Sequence, residues 1–181
     1  MNDNFAVESF IEYCDSMMIA TETKSFKFKL DSPDFLQNFK VSIEDLEEHV
    51  LPLHGKITKD NLRHVKKRNP KVKKTFDSYY RSDLNKNPKS ICTMIEKAVL
   101  YKRDYIKSKI NSSHSNITRI EFAVPFKNNI GFVVINGIAD PAHRLPASWL
   151  HVILEVSFNA AEICLVNAFP ITEKAAKLIG K

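Results

Sequence analysis

The sequence predicts an α+β fold, an N-terminal helical layer packed on a C-terminal antiparallel sheet of about four strands. Two observations predict it. Apolar residues recur at helical spacing up to residue 110, and from residue 117 the period changes to two, with only short turns between runs. The 181 residues, 44% of them hydrophobic, suffice for one domain with a real core. Within it the expected parts are an acidic helical head (1–53), a basic helical middle (54–110) and the sheet (117–172).

Taken in order, residues 4–20 carry Phe5, Phe10, Ile11, Met17 and Met18 as an approximate helical stripe. SFKFKL (25–30) alternates strictly and reads as a short strand, with Lys27 and Lys29 discouraging edge pairing. Ser32-Pro33 resembles a helix start, and Ser42 opens SIEDLEEHVLPLHG, which Pro52 and Gly55 end near His54. A further helix restarts at Thr58 and is stopped or bent by Pro70. The clearest helix covers 87–110: Asn87 caps it, Pro88 occupies its first turn, and Ile91, Met94, Ile95, Ala98 and Tyr105 mark the buried side.

In TRIEFAVPF, Ile120, Phe122, Val124 and Phe126 share one face, with Arg119 and Glu121 opposite. Lys127-Asn128-Asn129 turns into IGFVVING, a proline-rich loop ADPAHRLPA follows, and SWLHVILEVSF is the third strand. Asn159-Ala160-Ala161 then makes a hairpin into AEICLVNAFPI. In the third strand Leu150, Val152, Leu154, Val156 and Phe158 point one way; His151, Ile153, Glu155 and Ser157 point the other. A face bearing His151 and Glu155 is either a solvated exterior or the floor of a site.

Charge is segregated along the chain. Residues 1–53 hold 4 Lys/Arg against 11 Asp/Glu (−7), residues 54–109 hold 17 against 5 (+12), and residues 110–181 hold 6 against 5 (+1). A basic block of this kind suits a polyanion, whose phosphates release counterions when neutralised; a solvated helical face is the plainer alternative. No run of about 18 apolar residues is present, so no membrane partner is expected. Glu8, Glu12 and Asp15 interrupt anything resembling a secretory signal, which points to a chain folded in the cytoplasm or delivered to it by other means. Cys14, Cys92 and Cys164 have no ligand spacing and are expected to be buried thiols.

The four glycines, Gly55, Gly131, Gly137 and Gly180, form no phosphate-binding loop or dinucleotide fingerprint, and HExxH and GxSxG are absent. Asp140 and Glu155 could form a metal-nuclease pair only with a lysine two positions on, where Ser157 stands. No metal or cofactor is therefore expected. Histidine remains: His49 and His54 in EEHVLPLHG, His64 in LRHVKKR, His143 beside Arg144, and His151. RNA cleavage without a metal needs a base for the 2′-hydroxyl proton, an acid for the leaving 5′-oxygen and a cation for the phosphorane. Histidine suits the first two tasks and arginine the third.

Two elements, EHVLPLHG at 48–55 and the last strand with Asn167-Ala168-Phe169-Pro170, resemble the barnase–EndoU–colicin–RelE group of RNase toxins. The resemblance covers about 20 residues, and Asn167 stands where the group usually has Thr or Ser. It implies helices on a four- or five-stranded antiparallel sheet, metal-independent cleavage of tRNA or mRNA, and an inhibitory partner such as an antitoxin or immunity protein. By position it carries over His54 as general base or acid, with His49 a weaker candidate.

The leading expectation is a toxin-like endoribonuclease. His54 and His151 share acid–base work, Arg144 and Arg119 stabilise the phosphate, and Glu155 and His64 supplement the site. Lys66, Lys67, Arg68, Lys71, Lys73 and Lys74 hold the RNA backbone. Because His151 and Glu155 stand about 13 Å apart along a strand, each must act with groups from other elements. Two rivals stand beside this reading. One is a non-catalytic nucleic-acid-binding or regulatory module using Tyr79, Tyr80, Tyr101 and Tyr105 among lysines. The other is a protein-interaction or inhibitor protein docking through its acidic head.

Overall fold

The computed structural model describes residues 28–29, 35–55, 76–135, 140–160 and 162–179. The predicted helices at 4–20 and from Thr58, and His64, Lys66, Lys67, Arg68, Lys71, Lys73 and Lys74, lie outside the described residues. So do Cys14 and most of the 25–30 strand.

The elements form an α+β fold. Strand β1 is Phe28–Lys29; a helical run α1 comprises Ile43–Asp45, a π-helical turn Leu46–Val50 and Leu51–His54. Strand β2 (Phe76–Tyr80) precedes α2 (Ser82–Asn85), α3 (Pro88–Tyr101) and α4 (Arg103–Asn111). Strands β3 (Ile117–Pro125), β4 (Gly131–Ile135), β5 (Leu145–Ala147), β6 (Trp149–Ser157) and β7 (Glu162–Ile171) follow, then a last turn of helix, α5 (Glu173–Ala176).

Pro52 does not stop α1 at once, because it falls in the first turn of the segment after the π-helical turn, where its missing N–H is tolerated; the run ends at His54. Asn87 occupies the N-cap of α3, but its side chain makes no capping bond. The helix expected over 87–110 divides at Lys102 (φ −97, ψ 13). Beyond the break Ile106 enters the core, and Tyr105 donates its hydroxyl to the Glu121 carbonyl at 3.3 Å.

The sheet is two sheets. Four antiparallel strands run in the order β1-β7-β6-β3, and three others in the order β2-β4-β5. The predicted second strand, IGFVVI, thus leaves the main sheet and pairs with β2 and β5. On the helical side of the main sheet, Ile120, Phe122, Val124, Leu150, Val152, Leu154 and Val156 pack with Ile91, Ile95, Val99 and Ile106, as the alternation predicts. Burying each large aliphatic side chain contributes about 1.5–3 kcal/mol.

A bulge lets β7 serve both faces. Ile153 pairs with Asn167 but Leu154 pairs with Leu165, so Val166 is the extra residue. Ile163 and Leu165 therefore join the helical side, while Asn167, Phe169 and Ile171 turn to the other. That second face is covered: Ala123, Ile153, Phe169, Ile171 and Ala176 are buried together, with Trp149 and Ala175 packed against them. Thr172 caps α5 by accepting from the Ala175 N–H at 3.3 Å. The parity predicted for His151 holds, yet its end of the face is a second small core and not an open floor.

The two sheets meet along β7. Tyr80 donates its hydroxyl to the Ala168 carbonyl at 2.9 Å. A Cβ on Gly131 would collide with the Tyr79 carbonyl oxygen and the Pro170 ring, so glycine is what permits the close approach. Asn85 joins α1 to β2, its amide donating to the Gly55 carbonyl at 2.6 Å and the Tyr80 carbonyl at 3.2 Å. Cys92 and Cys164 are buried thiols that form no disulfide among the described residues, and Cys92 donates to the Ser42 carbonyl at 3.6 Å. Among the described residues no helix is long and apolar enough to cross a membrane.

Candidate functional site

The second face of the main sheet gathers the polar residues. Arg119 and Glu121 are two apart on β3 and so share that face. In the register of β3 with β6, Arg119 stands opposite Glu155 and Glu121 opposite Ile153, which puts His151 on the diagonal from Glu121. The Glu121 carboxylate bridges its neighbours. Its Oε1 lies 2.7 Å from the Arg119 guanidinium, and its Oε2 accepts from His151 Nε2 at 3.1 Å.

This array runs from solvent inward. The side chains of Arg119 and Glu121 are 29% and 32% exposed, whereas His151 is 1% exposed. Partial burial alone would raise the Glu121 pKa; the hydrogen bond from His151, and then the charges of His151 and Arg119, outweigh it and hold the carboxyl below its usual range. With Nε2 committed to Glu121, His151 Nδ1 is buried with no hydrogen-bond partner among the described residues.

His54 reaches the same face from the end of α1. Its Nδ1 donates to the Ser78 carbonyl at 2.9 Å, since a carbonyl can only accept. The neutral ring then turns its Nε2 lone pair to the Asn167 amide, 3.3 Å away, while Asn167 Oδ1 accepts from the Ala168 N–H at 2.8 Å. Burial pushes the His54 pKa down to about 4, opposed by the Ser78 hydrogen bond and assisted by the charge of His151. His54 is 3% exposed. Its ring stacks on Phe169 (4.7 Å, 22°), and His151 meets the same ring edge-on (4.9 Å, 70°).

The structure thus brings together four of the predicted residues. His54 and His151 share Phe169, Glu121 joins Arg119 to His151, and Glu155, exposed, is Arg119's cross-strand neighbour. Arg144 stands elsewhere: its guanidinium lies over Phe132 of β4, 4.6 Å from the ring centroid. His143 pairs with Asp140 at 3.4 Å on the surface. The His49 side chain and His64 are outside the described residues. Tyr79 and Tyr80 are buried, so of the four tyrosines among lysines only Tyr101 and Tyr105 have accessible surface.

Sequence reading missed Glu121, Asn167 and Phe169 as members of the site. Arg119-x-Glu121 at strand spacing was the available signal for the first. The resemblance marked the Asn167-Ala168-Phe169-Pro170 stretch, but no periodicity could place Asn167 and Phe169 on this face, because the bulge at Val166 decides it. Among the described residues no three His, Cys, Asp or Glu side chains are grouped as a metal ion would require.

Neither a family model nor a curated protein matches the chain. Among solved structures it is similar to a chain in the crystal structure of a CdiA-CT/CdiI complex from Y. kristensenii 33638, with 15% identity and a TM-score of 0.44, over 70% of this chain and 96% of that one.

Proposed function

We propose that the chain is a metal-independent endoribonuclease of toxin-like character, acting on tRNA or other cellular RNA in the cytoplasm. The observation that carries the reading is the Arg119–Glu121–His151 array, which sets a cation, a carboxylate and an imidazole in contact on one partly open sheet face. Those are the three groups that transphosphorylation of RNA needs.

In this scheme Arg119 binds the scissile phosphate. Glu121 has lone pairs left beyond its two contacts and takes the 2′-hydroxyl proton as the 2′-oxygen attacks phosphorus. His151, whose Nε2 is engaged by Glu121, is the proton donor to the 5′-oxygen as the P–O5′ bond breaks, which requires its buried Nδ1 to become accessible when RNA binds. The products are a 2′,3′-cyclic phosphate and a free 5′-hydroxyl. His54, expected from the sequence as acid or base, takes a positioning role here: neutral and held by Ser78 and Asn167, it packs Phe169 against His151. Glu155 flanks Arg119, Arg144 contributes through the second sheet, and the lysines and Arg68 of residues 66–74 add charge for the backbone. An antitoxin or immunity protein belongs to the proposal as the inhibitor such an enzyme requires.

The near-complete burial of both histidines favours a second reading, a nucleic-acid-binding or interaction module in which the array is a structural polar network. Incubation with total cellular RNA in EDTA separates the two. Wild type should give fragments with cyclic-phosphate ends, lost in His151→Gln and Glu121→Gln variants that keep the wild-type circular dichroism spectrum. RNA left intact by the wild type, but shifted in a native gel, would leave the binding module standing.

A further inference from the structure

The helical side carries a second feature that the array does not use. Tyr101, at the end of α3, is 70% exposed, more than the other exposed large hydrophobic residues Ile43, Leu100, Ile117 and Leu145. Tyr105 and Lys109 stand four apart on one face of α4, and Tyr101 ends α3 just before the break. The break at Lys102 places that ammonium between the two rings, 6.0 Å from the Tyr101 centroid and 5.9 Å from that of Tyr105. Lys109 lies 5.5 Å from the Tyr105 centroid. The result is an alternating ladder of ring, ammonium, ring, ammonium on the surface.

The ladder adjoins the candidate site. Tyr105 donates its hydroxyl to the carbonyl of Glu121 on β3, the edge strand of the main sheet. Burial, and then the charge of Glu121, raises the Tyr105 pKa. Residues 88–111 carry six Lys/Arg against two Asp/Glu, so the surface around the rings is cationic.

We infer that Tyr101, Lys102, Tyr105 and Lys109 form a binding track for single-stranded nucleic acid, leading round the β3 edge to Arg119 and Glu121. The proposal rests on the RNA-directed reading of that site. Unpaired bases stack on the tyrosine rings, and phosphates take the ammonium groups from the ring faces. Duplexes are excluded from this mode because their bases are already stacked. Alternating aromatic and cationic groups match the repeat of a single strand, base then phosphate, better than they match an acidic peptide, which offers charge without planar faces.

The test is fluorescence anisotropy with a labelled 2′-O-methyl oligouridylate, which has no 2′-hydroxyl and cannot be cleaved. Tyr101→Ala should weaken binding by about 5- to 150-fold, the worth of one stacked base, whereas Tyr101→Phe should bind as wild type. Lys102→Ala with Lys109→Ala should lower the salt slope by about 1.4, two phosphates on a single strand. Wild-type affinity in Tyr101→Ala, equal losses in Tyr101→Phe and Tyr101→Ala, or preference for a duplex of the same length would each overturn the track. Binding to phosphatidylserine vesicles that needs Tyr101, with none to the oligonucleotide, would overturn it in favour of a membrane surface. Failure of the track and of the proposed activity are distinguishable. RNA cleavage that survives Tyr101→Ala unchanged removes the track alone, while ring-dependent binding without cleavage removes the activity alone.

Discussion

Replacing His54 with Phe tests the burial of this residue, on which its positioning role depends. The substitution keeps an aromatic ring stacked on Phe169 but strands the Ser78 carbonyl and the Asn167 amide, which now bond to His54. Each buried group left without its partner costs about 1–3 kcal/mol, so the variant should be roughly 2–6 kcal/mol less stable at pH 7.5. The pH dependence carries the sharper information. His54 has its pKa lowered in the fold from 6.5 to about 4. Between those values the unfolded chain binds a proton that the folded chain refuses, so acidification favours unfolding by about 1.36 kcal/mol per unit.

Above pH 6.5 this loss is absent; it grows as pH falls and is complete below about pH 4, where it reaches on the order of 3 kcal/mol. A phenyl ring at this position cannot titrate. The gap between wild type and His54→Phe should therefore narrow by that amount between pH 7.5 and pH 4. Glu121, whose folded pKa is depressed, also loses stabilisation as pH falls through that value, but it does so in both proteins and cancels in the difference. Urea titrations followed through the single tryptophan, Trp149, which packs against Phe169's cluster, would report the gap. A gap that stays constant with pH would show that His54 accepts its proton in the native state at no cost, and the buried neutral ring would have to be abandoned.

Other perturbations probe the frame. Ile153→Ala on the second face should destabilise by about 2–5 kcal/mol in a denaturant melt; a change under about 0.5 kcal/mol would mean that this face is not a core. Tyr80→Phe removes the hydroxyl from the Ala168 carbonyl and should cost roughly 1–3 kcal/mol, read from the urea midpoint at unchanged slope. Gly131→Ala drives a methyl into the Tyr79 carbonyl and the Pro170 ring and should cost about 1–3 kcal/mol or more; a thermal midpoint equal to wild type would disprove the close contact between the sheets.

Legibility in the sequence followed the range of the interactions. The alternation in 119–126 and 149–157 was readable because one face of each strand meets helices, and the short hairpin fixed β6 against β7. The second sheet was not readable. Residues 76–80, FDSYY, bury Asp77, Ser78, Tyr79 and Tyr80 in succession, so no period of two survives, and their partner β4 lies some 50 residues away in the chain. Without β2, the reading left IGFVVI with the main sheet, a place that β1 partly takes at the opposite edge. The short β5, LPA, was hidden inside a proline-rich loop.

The site shows the same division more finely. Strand parity correctly put His151 and Glu155 together on one face, but parity says nothing about what covers a face. Here His151 is buried with Phe169 edge-on against it while Glu155 is exposed, so two residues with the same sequence signature have opposite environments. The bulge at Val166 adds a second effect that no periodicity can carry. Leu165 and Asn167 have the same parity, yet one joins the helical core and the other reaches His54. Asn167 was marked in the sequence only as an amide where a hydroxyl is usual. In the fold that amide is what the His54 lone pair meets, and a hydroxyl there could serve as either donor or acceptor. The identity of residue 167 therefore bears on the His54 tautomer, and Asn167→Thr should preserve the fold while loosening the preference for Nδ1–H. Nitrogen chemical shifts of the His54 ring would read that directly, and an unchanged pair of shifts would assign the tautomer to the Ser78 carbonyl alone.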